Sequence, residues 1–271
     1  LMGELGLKDN LEWFKSKVGT YVNGKVYKTT TPLDLLKFSA LPILDRFRMG
    51  LFMLRVKSIK DWKSLESKTA DEWLRERLGG KAYEMIWQPL LRGKFGDYFD
   101  QIGMPWFWGK IQTRFASRKR SGSERLGYPV YSFDEFFNTI KKEIEGRGGN
   151  VLIETPVTEI LTDGGTSTGV RFRTPEGDEH KEDFDVVLST VPSFEFVKMV
   201  DLPKTYVDQL TGVVYTAAVV LILELSHQLT DRYWMNIADR SLPFLGLIEH
   251  TNLVPKEWYG GRHVLYLTNY V

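Results

Sequence analysis

The sequence contains no cysteine. Disulfides, thiolate metal sites, a cysteine nucleophile and a thioether-linked cofactor are therefore excluded for this chain. The absence also fits a reducing compartment, and a cytoplasmic location is expected. Histidine is scarce: His180, His227, His250 and His263 are widely spaced and form neither H-E-x-x-H nor H-x-x-x-H, so no metal site is expected. The longest apolar run, "VVYTAAVVLILEL" from Val213 to Leu225, is shorter than the ~20 residues that span a bilayer. Its β-branched content reads as a buried strand. Net charge is only +1, which gives no global drive toward nucleic acid, and none is expected as a partner. The serines of "SFD" and "SRKRSGSE" lack the G-x-S-x-G context of a nucleophile elbow, so hydrolase chemistry has no support from them. Nor is there a G-x-G-x-x-G, the spacing that lets backbone approach a pyrophosphate at a helix N-terminus.

What is present is the material of a packed protein. Over 271 residues, 42% are hydrophobic and 13% aromatic, enough for one large domain or two and too much for disorder. The chain begins "LMGELGLKDN" and stops at "HVLYLTNYV", within an apolar alternation. It is expected to be a piece of a longer protein.

Local signals order the elements. Residues 12–28 alternate around Asn23-Gly24, a hairpin signal. Thr31, Pro32 and Asp34 mark a helix start, and helices are expected from there to about Ser117. Within that stretch, "LPILDRFRMGLFMLRV" is apolar on most of its circumference, with Arg48 and Arg55 on one side. Thr69 and Glu72 form a capping box closed by Gly79-Gly80, and Pro89 should kink or end the next helix. "SFDEFFNTIKKEIEGRGG" pairs Ser132 with Glu135 as a second capping box and ends in a glycine stop. Strands are expected at "NVLIE", "PVTEILTD", "STGVRFRT" and "DFDVVLSTVP", and again from Val213 to Val271 after a short helix near "KTYVDQL". This order suits an interrupted, two-domain chain of mixed α and β structure.

Basic residues gather at Lys110, Arg114, Arg118, Lys119, Arg120 and Arg125, which read first as a solvated helix end. Trp13, Trp62, Trp73, Trp87, Trp106, Trp108, Trp234 and Trp258 read mainly as core. No catalytic acid or base stands out, so the catalytic residues are left unknown.

"YSFDEFFNTIKKEIEGRGGNVLIETPVTEI" and "DFDVVLSTVP" resemble the flavin-containing amine oxidase superfamily, the group that includes protoporphyrinogen oxidase and the carotenoid desaturases. "TADEWLRERLGGKAYEMIWQPLLRGKFG" is similar to its helical substrate-side segment. The resemblance implies an α+β, two-domain FAD-dependent oxidoreductase. Residues 1–125 and 201–271 would form a helical and antiparallel-sheet substrate domain, and residues 126–200 part of an incomplete FAD-binding domain. It implies that Val157 meets the adenine of a non-covalent FAD, and that Thr190, Val191 and Pro192 close over the same end. The glycine fingerprint and the last flavin-covering segment of such proteins are not found here, so weak or absent FAD binding is expected of this chain alone. The implied substrate is a small molecule, apolar or amine-containing, giving up a hydride equivalent. One alternative is a mutase similar to UDP-galactopyranose mutase, with Arg118 and Arg120 on a diphosphate. Another is a non-catalytic binding module that turns the helix bearing Arg48 and Arg55 toward a partner or a membrane surface. Exposed strand edges would favour self-association.

Overall fold

The structure is a computed structural model that describes residues 2–116, 124–130, 132–239 and 241–271. In chain order its principal elements are β1 (Leu11–Lys15), β2 (Val18–Val22), β3 (Lys25–Lys28), α1 (Pro32–Leu36), α2 (Ile43–Ser58), α3 (Ala70–Leu78), α4 (Gly80–Ala82), α5 (Gln88–Phe95) and α6 (Met104–Ala116). They continue with β4 (Arg125–Pro129), α7 (Ser132–Gly146), β5 (Val157–Asp163), β6 (Thr166–Arg173), β7 (Glu179–Asp183), α8 (Ser193–Phe196), α9 (Lys204–Thr211), β8 (Ala218–Leu225), β9 (Trp234–Ile237), β10 (Gly246–Glu249) and β11 (His263–Tyr270). The chain divides into two units. One is Asp134–Tyr215, and the other joins Met2–Phe133 to Thr216–Val271.

The larger unit is built on a six-stranded sheet of order β3-β2-β9-β10-β11-β8. Only the β2–β9 pair is parallel. Asn23 and Gly24 both take positive φ (51° and 72°) between Val22 and Lys25, as a two-residue hairpin turn requires. The expected hairpin is therefore β2–β3, and β1 does not belong to it: β1 pairs with β4, more than a hundred residues away. The helices follow their local signals. Thr31 with Asp34, and Thr69 with Glu72, form complete capping boxes on α1 and α3. The box expected at Ser132 involves a side chain outside the described residues. Pro89 does not end its helix. A five-residue π-helical turn (Tyr83–Trp87) precedes it, and Pro89 falls in the first turn of α5, where its missing N–H costs least. Met49, Phe52 and Val56 of α2, Trp73, Leu74 and Leu78 of α3, and Met104, Phe107 and Ile111 of α6 meet in one core.

The smaller unit holds the three-stranded antiparallel sheet β5-β6-β7. Helix α7 stops at the double glycine. Gly148 lies at φ 84°, and a Cβ on Gly149 would come within 2.8 Å of Ile144 Cγ2. Two expected strands do not form. Residues 150–154 and 185–191 lie outside any ladder, and Glu154, at φ 57°, turns the chain before β5 begins. Their apolar residues are left in the open: Val186 is 80% and Leu188 87% exposed. The run ending in β8 is also an edge rather than a buried strand. β8 pairs only with β11, and Val219, Val220, Leu221 and Ile222 are exposed. Among the described residues, no helix is long and apolar enough to cross a membrane.

Candidate functional site

The smaller unit carries the residues that the sequence singled out. Val157 opens β5 opposite Phe172 of β6, and an irregularity between Val157 and Glu159 breaks the pairing register beside it. Val157 is 36% exposed, so the strand start presents both backbone and side chain. Thr190, Val191 and Pro192 are exposed and outside any helix or strand, and Pro192 leads into α8. Their position is fixed from behind. Ser193 donates its N–H to Tyr215 Oη (2.9 Å) and its hydroxyl to the Leu210 carbonyl (2.8 Å). Hydrogen bonding with Ser193, through its side chain first and its N–H second, holds the Tyr215 phenol below its ordinary value. Ile160 of β5 donates its N–H to the Met199 carbonyl (2.7 Å), which ties the segment after α8 to the strand that Val157 begins. Val157 and the 190–192 loop thus belong to one unit braced by shared hydrogen bonds.

The sequence resemblance assigns these residues to one end of an FAD. Val157 is an apolar, partly exposed strand end, and Thr190 and Val191 are exposed ahead of Pro192, whose carbonyl accepts from the N–H groups of Glu195 and Phe196. A pyrophosphate needs a glycine cradle at a helix N-terminus. No G-x-G-x-x-G exists in this chain to supply it.

The larger unit contains a cluster that sequence reading missed. His250 Nε2 lies 2.8 Å from Tyr259 Oη, and Tyr128 Oη lies 3.5 Å from the same oxygen. The His250 ring is 5.3 Å from Tyr128 and 5.6 Å from Tyr266. Burial lowers the His250 imidazole and raises the phenols of Tyr233, Tyr259 and Tyr266. The shifts favour the neutral forms, which makes the cluster a hydrogen-bonded group joining β4, β11 and the two turns between β10 and β11 rather than a charged relay. Next to it, the fully buried Glu249 accepts from the N–H groups of Leu229 and Thr230 and from the Thr230 hydroxyl at 2.7–2.8 Å. The chain order 128, 250, 259, 266 carries no local spacing that would reveal such a cluster.

An open surface depression of about 700 Å³ also lies in this unit, lined by Leu41, Pro42, Ile43 and Met85 together with Arg46, Lys81 and Glu84. Arg46 is already engaged with the carbonyls of Leu41 (2.8 Å) and Leu36 (3.0 Å). Of the basic cluster, Lys110 and Arg114 lie on α6 and Arg125 on β4, whereas Arg118, Lys119 and Arg120 lie outside the described residues. Among the described residues, no three His, Asp or Glu side chains converge as a metal-ligand set.

A family model described as flavin containing amine oxidoreductase matches residues 1–270. Among curated proteins, the Rab GDP-dissociation inhibitor of Saccharomyces cerevisiae is 27% identical over 173 residues, which are 59% of this chain and 38% of that protein. Among solved structures, an oxidoreductase from Methanosarcina mazei superposes with a TM-score of 0.71 at 16% identity, covering 96% of this chain and 61% of its own. A protein from Exiguobacterium sp. 255-15, provisionally named protoporphyrinogen oxidase, gives 0.66 at 17% identity and covers 99% and 62%. A reduced UDP-galactopyranose mutase gives 0.63 at 14% identity and covers 97% and 58%. This chain thus spans 38% of the curated relative and about three-fifths of the solved structures.

Proposed function

Because the chain belongs to the flavin containing amine oxidoreductase family, we propose that it is part of an FAD-dependent oxidoreductase and that its smaller unit holds the adenine end of the cofactor. The observation that carries this reading is the family match over residues 1–270, joined to the open strand end at Val157. When bound, FAD supplies the acceptor for a hydride equivalent leaving a carbon–nitrogen or carbon–carbon bond. The chain's own residues bind and orient. Val157 and the 190–192 loop flank the adenine. The larger unit serves the substrate side, and the resemblance to the family, rather than the shape of the depression at Leu41 and Met85, is what supports an apolar or amine-containing substrate. The expected binding of FAD to this chain alone is weak, since only one end of the cofactor finds partners.

The test is a flavin-fluorescence titration with competitors. FAD should bind weakly and ADP should displace it, whereas FMN, which lacks the adenine, should neither bind nor compete. FMN binding as well as FAD, with ADP inert, would contradict the assignment.

The Rab GDP-dissociation inhibitor relative favours a second reading, a family member that binds a partner without redox chemistry. A chain of that kind would show no adenine selectivity in the same titration. For a mutase, the overall likeness is no better than to the oxidoreductases, and the arginine pair Arg118 and Arg120 falls outside the described residues.

A further inference from the structure

We propose that the outward face of α2 is a docking surface for anionic lipid bilayers. Helix α2 buries Met49, Phe52 and Val56 against α3 and α6. At 3.6 residues per turn, the opposite side carries Ile43, Leu44, Phe47, Leu51 and Leu54 within an arc of roughly 100°. All five are exposed, Leu44 by 73% and Leu51 by 69%. A helix that needs only one apolar stripe for its core therefore displays a second stripe to the outside.

The charges around that second stripe select its occupant. Arg48 and Arg55 flank it on one side, and Arg46 and Lys57 on the other. Arg48, Arg55 and Lys57 are exposed, and the one acidic residue of the helix, Asp45, is mostly covered and lies toward the buried side, 3.6 Å from Arg48. Lys57 lies over the Phe115 ring, 5.0 Å from its centroid, with its ammonium still at the surface. An apolar stripe bordered by cations on both sides fits the interface of a bilayer, where leucine and phenylalanine enter the acyl boundary and arginine reaches the phosphates. A second copy of the same face would oppose cation to cation. Helix α1 extends the surface with exposed Leu33, Leu36 and Lys37. At 16 residues α2 is too short to span, so the contact is parallel to the membrane plane.

The experiment is flotation of the full 271-residue chain with phosphatidylcholine vesicles, with and without about 30% phosphatidylserine. Flotation is expected with the anionic vesicles only, and to weaken in high salt. Arg48→Gln with Arg55→Gln should lower it on the order of tenfold, and Phe47→Ser with Leu51→Ser by at least as much. Leu188→Ser, a still more exposed apolar site in the other unit, should leave it unchanged. A Phe47→Trp variant should show blue-shifted emission on the anionic vesicles, which reads α2 directly without any loss of fold. Flotation indifferent to the α2 substitutions, or equal on neutral vesicles, would overturn the proposal. So would α2 substitutions that change only the oligomeric state in light scattering, because the face would then belong to a second copy.

Discussion

His250 Nε2 and Tyr259 Oη share a hydrogen bond of 2.8 Å, with their rings edge to face at 5.3 Å. The bond is the centre of the neutral cluster that ties β4 and β11 to the turns following β10. Tyr259→Phe keeps the ring and removes the hydroxyl, leaving a buried imidazole nitrogen without its partner. The expected cost is about 1–2 kcal/mol of stability, read from urea denaturation midpoints.

The same pair gives a pH dependence whose sign follows from burial. Burial lowers His250 from 6.5, so just below that pH the unfolded chain binds more protons than the folded one. The stability associated with neutral His250 is complete above about pH 6.5 and is lost as the pH falls from there toward the folded value. Denaturation midpoints should therefore drop over the first unit below 6.5 in the natural chain, and should drop less in His250→Gln. Equal slopes in the two proteins would remove His250 from the account.

Gly169 permits the β6–β7 approach. A Cβ there would sit 2.3 Å from the Glu182 carbonyl oxygen and 2.9 Å from Asp183 Cα, both backbone atoms that cannot step aside. Gly169→Ala should destabilise the smaller unit by about 2 kcal/mol or more and raise amide exchange along β6 and β7, measured by hydrogen–deuterium exchange.

Glu249→Gln tests the buried acceptor. The carboxylate takes three donors, and an amide of the same shape turns an NH₂ toward at least one of them. A loss of about 2–3 kcal/mol is expected, with local loosening of residues 226–232. A wild-type melting curve would show that the three donors find other partners.

Legibility in the sequence followed the range of the interaction. Thr69 with Glu72, Thr31 with Asp34, and Asn23-Gly24 act over two or three residues, and each was readable from spacing alone. β1 falls within the stretch expected to form the hairpin but pairs instead with the distant β4, because alternation says which side a strand buries, not what it pairs with. Residues 150–154 and 185–191 were read as strands from β-branched content. Composition describes the side chains, while a ladder also needs a neighbouring backbone, and none pairs with them among the described residues. The same limit made β8 look buried. Val157 and the 190–192 loop are assigned a role only through family resemblance, and the His250 cluster was not legible at all, since its members come from separate stretches of chain.

The central claim, that the smaller unit holds an adenine, is tested most directly by hydrogen–deuterium exchange with and without saturating ADP. Slower exchange at Val157 and at Thr190 and Val191, with the larger unit unchanged, is the result this account predicts. Protection confined to the larger unit, or protection nowhere despite measurable FAD binding, would contradict it.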